Sequence, residues 1–160
     1  MTEAAQRAAV VAEARSWLRC RYHVAGTVKI AVAPDGTVIE RGGVDCATLL
    51  AEVYRRAGLI GAVEIPHYPA DWHLHRKTER YLSAVLEHAR EVWPDRVRPG
   101  DVVLFKFGHV YSHGAIIVEP GWPDIIHASV AARCVQLDHG LGGEWGDKPR
   151  KFFTLWPREA

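Results

Sequence analysis

Gly43-Val44-Asp45-Cys46-Ala47-Thr48-Leu49-Leu50-Ala51-Glu52-Val53-Tyr54-Arg55-Arg56-Ala57-Gly58 is the stretch on which the reading of the fold turns. Cys46, Leu49, Leu50, Val53, Tyr54 and Ala57 fall at i, i+3, i+4, i+7, i+8 and i+11, one continuous apolar stripe of a helix. Glu52, Arg55 and Arg56 face away from it. Asp45 stands where an N-cap accepts the backbone N–H groups that a first turn leaves unpaired, and Gly58 stands where a helix stops. The stretch predicts a core helix with a cysteine in its first turn.

Upstream, Val10, Ala14, Trp17 and Leu18 recur at helical spacing among charges, which predicts an opening helix fading near Cys20 to Tyr22. Thr27 to Ala33, the turn Pro34-Asp35-Gly36 and Thr37 to Glu40 read as a hairpin that Gly42-Gly43 closes. Downstream, Ile65 to Asp71 reads as a loop because of Pro66 and Pro69. Leu82, Val85, Leu86 and Ala89 predict a third helix over about Leu74 to Val92. Pro94, Pro99 and Gly100 mark a change to strands. These are expected at Val102 to Phe105, Tyr111 to Val118, Ile125 to Ser129, Cys134 to Leu137 and Phe152 to Trp156. Helices first and antiparallel-type strands second is an α+β order.

The chain has 160 residues, 48% apolar and 24% charged, which is the composition of a globular protein and a length for which one domain, 1–160, is the expectation. A net charge of +1 offers no basic field for nucleic acid. No apolar run approaches the ~18 residues of a membrane span. Glu3, Arg7, Glu13 and Arg15 interrupt the start, so no secretion signal is expected and synthesis in the cytoplasm is. Cys20, Cys46 and Cys134 are too few and odd in number for a disulfide scaffold.

The chemistry the residues suggest is thiol catalysis. A thiolate rather than a thiol attacks, so a catalytic cysteine needs its pKa lowered, and the start of a helix together with a nearby imidazole is expected to do this for Cys46. His113 opens the apolar stretch Gly114 to Val118, and His127 ends Ile125-Ile126, so both are expected on strands, as a base and its orienting partner. Side chains alternate across a strand, so the two rings share a face only if the connection has an odd length or a bulge. Direct opposition would centre it on Pro120, whereas a strict two-residue Pro120-Gly121 turn would part them. His109, within Gly108-His109-Val110, is a rival base. His73 and His75 are spaced i, i+2, which points them apart on a helix, and neither HExxH nor CxxC occurs. No metal or cofactor is therefore expected. Trp72, Trp93, Trp122, Trp145 and Trp156 read as core or rim aromatics.

Trp17-Leu18, Tyr22-His23, Asp45-Cys46, Pro99 to Phe105, His113-Gly114-Ala115-Ile116 and Ile126-His127-Ala128-Ser129, in that order, resemble the NlpC-like cysteine peptidases. The resemblance runs from about Ala14 to Val135. It implies an α+β, papain-like fold with a helical part packed on an antiparallel sheet. It also implies Cys46 as nucleophile, His113 as general base, His127 as its orienting residue and Tyr22 lining the pocket. The helix start at Asp45 and Ala47, together with Tyr22, would hold the oxyanion. The implied substrate is the peptidoglycan stem peptide, cut typically after γ-D-glutamyl residues.

This chain departs from the family's pattern in having Ala47-Thr48 after the cysteine, where Ser-Gly or Trp-Gly is usual, and Arg19-Cys20-Arg21 in place of Gly-Thr-Pro. Insertions are expected near 27–41 and 61–93. A stand-alone domain of this kind resembles those of phage tails, with tail proteins as implied partners and a virion-associated location. Two other readings stay open on sequence: an inactive tail or assembly subunit, and a Cys–His amidase, deamidase or acyltransferase acting on another substrate.

Overall fold

The computed structural model describes residues 1–65 and 79–157. Trp72, His73, His75, most of the loop expected over Ile65 to Asp71 and the first turns of the helix expected from Leu74 lie outside the described residues.

Helix α1 spans Glu3–Ser16, capped by Thr2, whose hydroxyl accepts the Ala5 N–H at 3.3 Å. It buries Val10 and Ala14, and Trp17 is buried at its end. Four short strands follow: β1 (Thr27–Val28), β2 (Ala31–Val32), β3 (Val38–Glu40) and β4 (Gly43–Val44). The tip of the expected hairpin is present as β2 against β3. Its root differs, because β1 pairs with β4 instead, which fixes the approach to Asp45. Gly26 permits this closure, since a Cβ there would run into the Gly43 carbonyl.

Helix α2 spans Cys46–Arg56, and Leu49, Leu50, Val53 and Tyr54 are buried, as the stripe predicts. Its start is held by a nearly sealed carboxylate, Asp45 being 2% exposed. Asp45 Oδ1 accepts the N–H groups of Ala47 (3.0 Å) and Thr48 (2.9 Å), while Oδ2 accepts that of Ala25 (2.7 Å). Thr48 completes the capping box, its Oγ1 accepting the Asp45 N–H at 2.9 Å. The departure from the family's usual residues after the cysteine is thus spent on fixing the helix start. Asp45→Ala leaves these buried donors unpaired, so urea unfolding should show a loss of roughly 2–4 kcal/mol from a lost cap plus stranded polar groups. A loss below ~0.5 kcal/mol, the range of an ordinary surface change, would contradict the cap.

Beyond the undescribed stretch come α3 (Arg80–Leu86) and β5 (Arg90–Val92). The single helix expected over Leu74 to Val92 therefore ends at Leu86. Arg90–Val92 pairs antiparallel with Phe152–Thr154, so a tertiary ladder overrides local helical spacing. The remaining strands are β6 (Val102–Phe107), β7 (Val110–Ile117), β8 (Asp124–Ser129), β9 (Cys134–His139) and β10 (Arg150–Thr154). They form one antiparallel sheet of order β5-β10-β6-β7-β8-β9. The architecture is α+β, as expected.

Both faces of the sheet are covered. One carries Leu104, Ile116, Ile126 and Phe153 against α1 and α2, and the other carries Val103, Phe105, Ile117, Ile125 and Trp145. This explains why Val102 to Phe105 reads as an unbroken apolar run rather than an alternating one.

Candidate active site

Two irregularities in β7 build the site. On the β6 side, Phe105 pairs with His113 and Lys106 with Tyr111, so Ser112 is an extra, bulged residue immediately before His113. On the β8 side, Ile116 pairs with Ile126 and Ile117 with Ile125. The Val118 N–H donates to the Asp124 carbonyl at 3.0 Å and extends this ladder by one pair, so five residues, 119–123, turn the chain, the odd length that the sequence demanded. Its register places the two histidines diagonally on one face rather than directly opposite, and their rings meet: His113 Nε2 lies 3.0 Å from His127 Nδ1.

A third residue, which the sequence reading missed, extends this pair. Asp138 Oδ2 lies 3.2 Å from His127 Nε2. In the β8–β9 ladder Asp138 opposes Ile125 and Gln136 opposes His127, so strand alternation brings Asp138 to the histidine face. The period-2 pattern of Cys134-Val135-Gln136-Leu137-Asp138 was the available signal.

The chain of contacts fixes the tautomers. Burial pushes the His127 imidazole below its usual pKa, against the pull of Asp138, so the ring is neutral at pH 7. Burial raises the Asp138 carboxyl, but the His139 N–H, His127 and Gln136 outweigh this and hold it low, so it is ionised and only accepts. His127 Nε2 must then carry the proton given to Asp138, and its Nδ1 must accept. His113 Nε2 therefore donates to it, which leaves Nδ1 as the His113 nitrogen outside the relay. Trp145, from the turn Gly143–Trp145, stacks on the His113 ring at 4.8 Å and 12° and meets His127 edge-on at 4.8 Å. Phe105 and Phe107 complete the aromatic box around His113.

Cys46 meets this strand from the helical side. Its Sγ donates to the Ser112 carbonyl at 3.6 Å, and the Gly114 N–H faces the sulfur, so the thiol touches the backbone on both sides of residue 113. β7 pairs with β8 at Ile116 and Ile117, and the thiol contacts β7 short of that pairing. Tyr22 faces Cys46 and Asp45 from the residue-22 bridge to Val44, and burial with those neighbours raises its phenol pKa. Tyr81 of α3, also unforeseen, donates to the Cys46 carbonyl at 2.9 Å and packs its hydroxyl over Gly114. Tyr81 belongs to the stretch 61–93, where the sequence left open whether the chain reaches the cleft; among the described residues of that stretch, Tyr81 does touch the cysteine. His109 sits in the exposed turn between β6 and β7, apart from the Cys46 helix start in sequence and ladder.

Two expectations need revision. The N–H of Ala47 is committed to Asp45, so among the first-turn donors the Cys46 N–H is the one beside the sulfur. The thiol pKa is also not lowered in this resting arrangement. Burial, then the Asp45 carboxylate, push it up to about 12, against the backbone and Tyr81 donors. Alkylation of Cys46 by iodoacetamide should therefore climb about tenfold per pH unit through neutrality, following the thiolate fraction. A rate that levels off below pH 9, read by peptide mapping, would contradict this.

Comparison with known proteins agrees with the fold. A search of curated proteins found no similar sequence. Among solved structures, the NlpC/p60 domain of the peptidoglycan hydrolase SagA superposes with TM-score 0.57 at 17% identity, over 91% of this chain and 96% of that one. The peptidoglycan hydrolase RipB from Mycobacterium tuberculosis gives 0.61 at 17% identity, over 99% and 70%. A structure described as an N-acetylmuramoyl-L-alanine amidase from Bacteroides uniformis gives 0.52 at 15% identity, over 93% and 98%. Several other matched structures are longer chains, of which this one spans under half. The sequence model of the NlpC/P60 family matches residues 21–152, and that span holds Tyr22, Cys46, His113, His127 and Asp138 together. On that match, the chain belongs to the NlpC/P60 family.

Proposed function

We propose that this chain is a cysteine peptidase that hydrolyses amide bonds in peptidoglycan stem peptides. One observation carries the reading: in a chain of this family, a hydrogen-bonded His113–His127–Asp138 relay ends on the strand that touches the Cys46 thiol. The hydrolase names of the structures it resembles support the substrate class.

The chemistry runs as acyl transfer in two halves. Cys46 Sγ attacks the carbonyl carbon as its proton passes to His113 Nδ1. Because the resting thiol is protonated, transfer and attack belong to one step rather than to a preformed ion pair. The carbonyl oxygen becomes an oxyanion held by the Cys46 N–H and the Tyr22 hydroxyl. His113 then gives the proton to the leaving nitrogen, the C–N bond breaks, and a thioester remains. Water attacks the thioester carbon, passing a proton to His113. The C–S bond breaks, and that proton returns to the sulfur. His127 and Asp138 hold the His113 ring and its tautomer throughout.

A second reading, cleavage of the amide that joins peptide to glycan, has the amidase-described neighbour in its favour. Mass spectrometry of muropeptides after digestion separates the two. The expected product is a new amino terminus inside the stem peptide. Intact stem peptides released from the glycan would replace the proposal with the amidase reading, and an unchanged muropeptide profile would reject both.

A further inference from the structure

The opposite edge of the sheet, three strands away from the β7–β8 gap, carries a basic cavity that the proposed chemistry does not use. Its volume is about 390 Å³, within the range of about 300–1,000 Å³ that holds small molecules. Arg7, Arg90, Arg96 and Arg98 line it, with Glu3 as the one lining carboxylate among the described residues. The chain as a whole carries only +1, so positive charge is concentrated here.

The arginines are not equally committed. Arg7 is spent internally, on Glu3 (2.7 Å), Asp101 (2.9 Å), the Pro99 carbonyl (3.0 Å) and Thr154 (3.1 Å), and it stacks on Trp156. It forms a fixed wall. Arg98 has a loose 3.5 Å contact with Glu3, and Arg96 a 3.9 Å contact with an exposed Asp95. Arg90, directly across the ladder from Thr154, differs from them all. Among the described residues, its Nε is the one buried side-chain nitrogen or oxygen without a hydrogen-bond partner. Arg90 thus lines the cavity with hydrogen-bonding capacity that the chain itself does not satisfy. Trp93 lines the same cavity and is 74% exposed, an aromatic face open to a ring beside the guanidiniums.

We infer that this cavity binds a phosphate monoester carried on a sugar-sized ring, the phosphate lying on Arg90, Arg96 and Arg98 and the ring on Trp93. A phosphate monoester carries about −1.5 to −2 at pH 7 and has three acceptor oxygens, a better match for the guanidinium forks of Arg90, Arg96 and Arg98 than one carboxylate. The cavity is also too large to be filled by a bare ion.

Calorimetry on the full chain at low salt tests this with glucose 6-phosphate, glucose, glucuronate and inorganic phosphate. Glucose 6-phosphate should bind with a Kd below ~1 mM, and each of the other three at least ~10-fold more weakly. Arg90→Gln should weaken glucose 6-phosphate by on the order of tenfold, and raised salt should weaken it further. Arg96→Gln, on a side chain 79% exposed, should weaken it too and serves if Arg90→Gln does not fold. No binding of glucose 6-phosphate at 10-fold above that limit, or binding that neither variant changes, would overturn the site. Glucose or glucuronate binding equally well would overturn the phosphate assignment, and inorganic phosphate binding equally well would overturn the ring. Peptidoglycan cleavage is not read in this experiment, so the outcome stands apart from the proposed activity.

Discussion

His113→Ala should lower kcat for stem-peptide hydrolysis by roughly 10²–10⁴-fold, the range that a positioned general base contributes. In the proposed mechanism His113 Nδ1 takes the thiol proton, while His113 Nε2 donates to His127 and His127 Nε2 donates to Asp138. With the resting thiol pushed up to about 12, no reservoir of thiolate stands in for the missing base at neutral pH. The loss should therefore fall mainly on kcat, with KM within a few-fold, because the ring is boxed by Trp145 and Phe107 and its proposed work is moving a proton rather than binding substrate. The residual rate should rise with pH as hydroxide replaces the imidazole. Steady-state kinetics of amine release across pH reads all three, and an unchanged kcat would remove His113 from the chemistry.

Cys46→Ala should be more severe, at least ~10⁴-fold, since no acyl intermediate can form without the sulfur. Stability should hardly move, by about 1 kcal/mol or less, because the change deletes one sulfur and its 3.6 Å contact with the Ser112 carbonyl. Neither remaining cysteine can substitute. Cys20 is fully buried with its sulfur on the Val28 carbonyl, and Cys134 opens β9. Full loss of turnover in a folded protein is thus the expected pairing, and thermal melting beside the kinetics checks it.

Much of this was legible in the chain. The Asp45-capped helix with its buried stripe is a local matter of spacing and capping, and it stands as read. The odd length of the β7–β8 turn was legible too, since alternation leaves few choices once two histidines must share a face. What escaped was non-local. Asp138 and Trp145 reach the histidines only through the β8–β9 register and the turn before β10. Tyr81 reaches Cys46 through the docking of α3, which sequence spacing could not place. The direction of the Cys46 shift was misjudged because a helix start favours a thiolate by far less than burial opposes it, and burial is a property of the whole fold. The strand at Arg90–Val92 looked helical because its neighbours are, until β10 offered it a ladder.

Digestion of purified peptidoglycan by the wild type and by Cys46→Ala, with fragments read by mass spectrometry, decides whether Cys46 cuts the stem peptide. Stem-peptide fragments with new amino termini are expected from the wild type and none above background from the variant. The same fragments at the same rate from both proteins would contradict that role.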